Sequence, residues 1–181
     1  MATRIGKEEG AALLVVELAA LLHDIEDWKF TGSEETGPQE ARAILSSEGV
    51  SEPVIAHVCN IIAHLSFKGA GVVNAIDTLE GKVVQDADRL DALGAIGIAR
   101  AFAYGGHAGR QIHRPGEEPT LHQTKEAYMK NTGTTVNHFH EKLLLLKDRL
   151  HTKTAQSVAK GRHRFMEEFL DHFLKEWDGK D

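Results

Sequence analysis

A histidine and an aspartate stand side by side in the run Leu21-Leu22-His23-Asp24-Ile25-Glu26-Asp27. A carboxylate taken out of water costs on the order of several kcal/mol unless it is paired or bound to a metal. Neighbouring residues on a helix point about 100° apart, so this pair converges on one ion only at the helix flank. Asp27, three residues beyond Asp24, falls on the same side, where it can orient or deprotonate a water next to such an ion. A second charged run, Val84-Gln85-Asp86-Ala87-Asp88-Arg89-Leu90-Asp91, keeps an apolar stripe while carrying three carboxylates. Asp88 and Asp91 share a face; Asp86 is expected to point elsewhere. With one or both of the paired carboxylates in the same pocket as His23 and Asp24, the ligands are imidazole and carboxylate. That set suits Mn, Fe, Co, Ni or Zn better than a soft-metal site does. Either run alone is a weak signal, an ordinary core histidine or a solvated acidic face. The two together, in this order on helices, carry the metal reading.

Substrate contacts are expected from Lys68, which follows a helix in the SFKGAG loop, from Arg110 in the YGGHAGR loop, and from Arg89 beside Asp88. Arginine suits bidentate phosphate binding, although each of these three reads equally well as a solvated surface charge. Asp91 joins this group through its shared face with Asp88. His64 joins it because His57, Asn60 and His64 form a polar stripe along one helix; an ordinary surface role is the better reading for His57. Tyr104 either stacks on a base or ends a buried helix. His138 and His140, two apart, diverge too far to share a metal. The single cysteine, Cys59, lies in an apolar helical run and reads as a small buried hydrophobe.

Helices must position these groups. Leu14, Leu18, Leu21, Leu22 and Ile25 recur at helical spacing and predict a buried helix over 11–28, followed by a loop at 29–33. A second helix is predicted from Pro38 to a stop at Gly49. A third follows candidate cap Ser51, with Val54, Ile55, Val58, Ile61, Ile62 and Leu65 inward. Thr78 is a candidate cap for the helix bearing Asp88, and small residues from Ala92 to Ala99 let it, or its continuation to Tyr104, pack closely. Residues 105–119 form the longest predicted loop. Helices over 136–150 and 154–177 complete an all-α chain, with Phe165 among the apolar residues of the last. The GAIG within 93–98 reads as a helix-packing surface rather than a nucleotide loop. No P-loop and no serine-nucleophile motif is present.

The chain has 181 residues, enough for one ordinary core. Hydrophobic residues make up 41% and charged residues 27%, a globular rather than a disordered balance. A net charge of −6 opposes binding to a nucleic-acid polymer. It still admits a small anionic substrate, because a bound divalent ion reverses the local field. One cysteine forms no intrachain disulfide and suits a reducing compartment. Residues 1–10 lack the apolar core of a signal peptide, and the apolar stretch 11–22 includes Glu17 and is too short to span a bilayer. A cytoplasmic location without a membrane partner is expected, and a homo-oligomer is left open.

The runs ELAALLHDIEDWKF, SFKGAG, VVQDADRLDALGAIGIARAFAYGGHAGR, HFHEKLLLLKDRL and RHRFMEEFL resemble one branch of the HD superfamily, from about Gly6 onward. That branch contains HD phosphohydrolases and bacterial-type nucleotide pyrophosphohydrolases. The resemblance implies a single all-α HD-domain helical bundle over 1–181. Its parts would be a metal-site core (1–104), a flexible loop (105–121) and C-terminal helices packing on the core (122–181). It implies His23, Asp24 and Asp88 as metal ligands, Asp27 acting on the nucleophilic water, and a divalent ion, Mn²⁺ before Mg²⁺, Co²⁺, Ni²⁺, Fe²⁺ or Zn²⁺. The reaction implied is hydrolysis of a nucleotide or related phosphate ester or anhydride, in its sharpest form nucleoside triphosphate to monophosphate and pyrophosphate. The family pattern starts with another metal-binding histidine about one helix before the HD pair. No histidine precedes His23 here, and RIGKEEGAA reads as the tail of that helix. Three protein ligands suffice for a catalytic metal, with weaker affinity expected. The alternative is a catalytically impaired relative that binds a nucleotide or a partner.

Overall fold

The structure, a computed structural model, describes residues 1–25, 36–65, 76–121 and 133–180. Among them are eight α-helices, one 3₁₀ segment and no strand: α1 (Ala2–Glu9), α2 (Leu13–Leu22), α3 (Thr36–Ser47), α4 (Glu52–His64), α5 (Leu79–Asp91), α6 (Gly94–His107), α7 (Thr135–Glu141), the 3₁₀ segment (Leu143–Arg149) and α8 (Lys153–Trp177). The chain divides into two compact units, Met1–Phe67 with Val73–Ala87, and Lys68–Val72 with Asp88–Asp181.

In the first unit α1 packs on α2, α2 on α4, and α3 on α4. Gly10, at φ 76°, stops α1 in a conformation that a side chain would strain. Gly49, at φ 73°, does the same after α3. Helix α3 is held to α4 by an Arg42–Glu52 ion pair at 2.6 Å and by the Cys59 thiol donating to the Pro38 carbonyl at 3.3 Å. Cys59 is thus half-buried and bonded rather than a plain core hydrophobe, and burial pushes its thiol pKa up. Ser51 occupies the N-cap of α4 without a side-chain bond, while Pro53 takes the first turn. Ile55, Val58, Ile61 and Ile62 are buried as predicted. Thr78 caps α5, accepting from the Gly81 amide at 3.2 Å.

Helix α2 turns a different face inward from the one its periodicity suggested. Val15, Val16 and Ala19 are buried, whereas Leu14 and Leu21 are exposed. The run LLVVELAALL is apolar almost all round, so spacing alone has no polar face from which to orient it. At its start the Ala12 amide donates to Glu80 at 2.8 Å. This bond is the main reason that the Glu80 carboxyl lies below its ordinary range.

In the second unit α8 packs against α6 and the 3₁₀ segment, and α7 packs against α6. Phe102, Phe139, Phe169 and Phe173 have ring centroids about 6 Å apart and form the apolar centre with Trp177 at its edge. Phe165 is instead exposed; His163 and Met166 are the buried residues of that turn. The predicted helix over 136–150 breaks at Lys142 (φ −140°, ψ −60°) into α7 and the 3₁₀ segment. Thr134 and Thr152 cap α7 and α8, accepting from Asn137 and Ala155. Helix α6 runs on to His107, and the segment that follows is tied to α7. Gln111 and Ile112 carbonyls accept from Thr135 and Val136, and the Thr120 amide donates to buried Glu141.

The small residues after α5 serve a tight corner. Leu93 is extended, and a Cβ on Gly97 would stand 2.3 Å from the Ala92 carbonyl oxygen. Gly97→Ala should therefore destabilise the protein by about 1–3 kcal/mol, opposite in sign to the gain usual for this change inside a helix. Urea denaturation of the variant checks it.

Candidate metal centre

His23 and Asp24 follow the last residue of α2. His23 keeps helical dihedrals (φ −63°, ψ −28°), and Ile25 donates back to the Leu22 carbonyl at 3.2 Å. The pair sits at the negative end of the helix dipole, which favours a cation. The His23 Nδ1 lies 2.8 Å from the Ala20 carbonyl. A carbonyl only accepts, so Nδ1 carries a proton and donates, which leaves Nε2 to face the neighbouring acid. That Nε2 faces Asp24 Oδ2 at 3.3 Å. A ring nitrogen and a carboxylate oxygen at this range share a proton or a cation. Ligand atoms each about 2.1 Å from a metal and at right angles to one another are about 3 Å apart. The observed spacing thus fits two adjacent ligands of one ion, and the Nδ1–H bond to a carbonyl is the usual means of orienting a ligating imidazole. The donor set suits a divalent transition metal.

His23 and Asp24 are the two predicted ligands that face each other in the structure. Among the described residues no group of three or more His, Cys, Asp or Glu side chains stands assembled around a metal position. Asp88 lies in the last turn of α5, exposed, and Asp91 is exposed with its backbone carbonyl accepting from Arg100 at 3.3 Å. Asp27 and Lys68, and the loop predicted at 29–33, lie outside the described residues. His64 is exposed, with Nδ1 2.8 Å from the Asn60 carbonyl. His57 Nε2 approaches Glu80 at 3.8 Å. Arg110 lies over the exposed ring of Tyr104, 5.6 Å from its centroid.

Two charged residues of α5 are buried rather than solvated, and Asp86 points elsewhere than Asp88 and Asp91, as expected. Arg89 is buried, and its guanidinium donates to the Arg149 carbonyl and approaches His151 Nε2 at 3.2 Å, so it joins α5 to the end of the 3₁₀ segment. Asp86 is fully buried, beside Gln85, whose amide donates to the Leu65 carbonyl at 2.9 Å. Its position was legible: it lies three residues after Val83 and four before Leu90, on the stripe that these residues bury.

His138 on α7 is the other histidine with a distinct environment. Burial, then Lys142 and Arg110, hold its pKa down to about 3, against an ordinary 6.5. The unfolded chain therefore takes up a proton below about pH 6.5 that the folded chain refuses until about pH 3. Stability is full above that window and falls as the pH drops through it. At pH 5 the loss is about 2 kcal/mol. Urea titrations at pH 7 and 5 should show it, and His138→Phe should remove it.

The all-α fold and the His-Asp pair at a helix end define an HD-type domain. Residues 1–93 match the HD domain family, and the chain belongs to that superfamily. It is 39% identical to the uncharacterized protein YpgQ of Bacillus subtilis, over the whole of this chain and 81% of that one. A solved structure of YpgQ in complex with ADP matches it at 36% identity and TM-score 0.76, covering 99% of this chain and 85% of the other. A Lactobacillus plantarum protein matches at 41% identity and TM-score 0.86, over 98% and 82% of the two chains. An HD-superfamily hydrolase from Bacillus thuringiensis matches at 43% identity and TM-score 0.75, over 98% and 81%. The chain thus has the fold of HD-superfamily hydrolases. No helix among the described residues is long and apolar enough to cross a membrane.

Proposed function

We propose that this protein is a metal-dependent phosphohydrolase of nucleotides, cleaving a nucleoside triphosphate to the monophosphate and pyrophosphate. The observation that carries the reading is the facing of His23 Nε2 and Asp24 Oδ2 at 3.3 Å with Nδ1 already committed to a carbonyl. The ADP complex of YpgQ supports a nucleotide as the ligand. His23, Asp24 and Asp88 are proposed to hold the ion, with manganese the first choice. When bound, the ion lowers the pKa of water beside it and polarises a phosphoryl oxygen.

The chain's own residues do the rest. The Ala20 carbonyl fixes the His23 ring and its tautomer. Asp27 orients the attacking water and takes its proton as the water oxygen joins the α-phosphorus and the bond to the bridging α,β-oxygen breaks. Lys68 and Arg110 neutralise charge on the departing phosphates. His64 and Asp91 flank the substrate, and Arg89 acts by holding the end of the 3₁₀ segment.

The test is turnover of nucleoside triphosphates with added manganese, with products resolved by chromatography. Monophosphate and pyrophosphate in equal amounts support the reading. Orthophosphate from nucleoside monophosphates replaces it with a phosphomonoesterase. Nucleotide binding without metal uptake or turnover replaces it with a binding module.

A further inference from the structure

In the second unit the 3₁₀ segment and α8 meet at one imidazole ring. His163 lies on α8 with only 10% of its side chain exposed. Its Nδ1 is buried and has no hydrogen-bond partner among the described residues. Its Nε2 has two neighbours of opposite charge. The Lys147 ammonium, on the 3₁₀ segment, stands 3.4 Å away. Glu167 Oε1, one turn further along α8, stands 3.3 Å away. Lys147 is half-buried, whereas the Glu167 side chain is 58% exposed. Among the described residues no other hydrogen bond or ion pair reaches the ring.

The other charges on the packed elements are directed elsewhere. On α8, Arg162 donates to the Leu90 carbonyl, and Lys160 and Arg164 are exposed. On the 3₁₀ segment Asp148 is exposed, and the Arg149 carbonyl accepts from Arg89. On α6, Arg100 donates to the Asp91 carbonyl and His107 is exposed. Helix α7 meets α8 through the Phe139 and Phe169 rings, and its Glu141 accepts from the Thr120 amide. One nitrogen cannot serve Lys147 and Glu167 in the same protonation state. An ammonium only donates, so Lys147 bonds Nε2 while that nitrogen keeps its lone pair. A carboxylate only accepts, so Glu167 bonds Nε2 once that nitrogen carries a proton. Water serves the exposed carboxylate better than the half-buried ammonium, so the unprotonated nitrogen goes to Lys147. Nδ1 keeps its proton in both states, and its lack of a partner weighs on both alike.

We propose that His163 is a proton-operated latch: its Nε2 lone pair holds Lys147 and ties the 3₁₀ segment to α8, and a proton taken from solvent at Nε2 turns that nitrogen to Glu167 and releases the segment. The imidazolium then repels the ammonium that its neutral form held. Arg89 holds the far end of the segment through the Arg149 carbonyl, so the release acts at the Lys147 end. The latch lies wholly in the second unit and is independent of the function proposed above.

The test is a long-range imidazole ¹H–¹⁵N spectrum of the full chain at about pH 8 and about pH 5, which bracket the range in which histidine changes charge. At the higher pH the His163 Nε2 should give the signal of an unprotonated nitrogen and Nδ1 that of a protonated one. At the lower pH both should be protonated. Lys147→Met, which removes the donor, should shift the higher-pH signals toward the opposite tautomer, with Nε2 protonated. Glu167→Gln should leave the higher-pH signals in place. The Lys147 backbone amide signal should move between the two pH values in the wild type and much less in His163→Phe. Lys147 and Glu167 are half-buried and exposed, so their variants keep the tautomer readout available even if His163→Phe does not fold. Nε2 in the same state at both pH values, unchanged signals in Lys147→Met, or an amide shift kept in full in His163→Phe overturns the latch.

Discussion

Asp24→Ala should abolish nucleotide hydrolysis while leaving the fold intact. The Asp24 side chain is 70% exposed, and among the described residues it faces the His23 ring nitrogen. Removing an exposed carboxylate away from a core or a cap changes stability by about 0.5 kcal/mol or less. Its effect on chemistry is of another size. A bound ion is worth several kcal/mol of transition-state charge stabilisation, and each 1.36 kcal/mol is about tenfold in rate. Losing one of its carboxylates should therefore cost roughly 10³-fold or more in kcat/KM. Calorimetric titration with manganese should show the same variant losing metal affinity, with an unchanged thermal midpoint. Full activity in Asp24→Ala would end the metal reading. Asp88 and Asp86 supply the internal comparison. Asp88→Asn, at an exposed position, should reduce metal uptake with little change in stability, and Asp86→Asn, at a buried one, should lower stability first. If Asp86→Asn alone removes the metal, the third ligand is reassigned to it.

Phe139→Ala should be the most damaging single change to stability, with a loss of about 3–5 kcal/mol. Its ring is fully buried and packs against Phe102 and Phe169, with centroids 5.8 and 6.2 Å away. Helix α7 is only seven residues long and supports itself poorly. It stays in place through this ring, the Thr134 cap and the bonds to residues 111 and 112. Because total stability of a domain is commonly about 5–15 kcal/mol, the variant should show a large fall in urea midpoint. Phe139→Leu, which leaves a smaller cavity, should fall clearly less. A loss under about 1 kcal/mol for Phe139→Ala would mean that the aromatic cluster is not the stabilising centre of its unit.

Much of the helical framework was legible along the chain. Thr78, Gly49 and the apolar face of α4 are local signals, set by residues within one or two turns, and the structure keeps each of them. The adjacency of His23 and Asp24 is equally local. The corner at 92–94 and the break at Lys142 were not legible. At Lys142 the run has good helix formers on both sides, so no local signal marks the break. The inward face of α2 was misread because nearly every residue on it is apolar, so burial there depends on where α1 and α4 lie.

Taken by itself, the order of residues determined that the chain is helical, where most helices start and stop, and which imidazole and carboxylate are neighbours. These are properties of dihedral preference and of groups within a few ångströms along one helix. Tertiary structure decided that Arg89 reaches the Arg149 carbonyl and that His138 lies under the influence of Arg110. These depend on chain segments tens of residues apart coming together. Only that packing removes water from a side chain and so fixes which polar groups must find a partner.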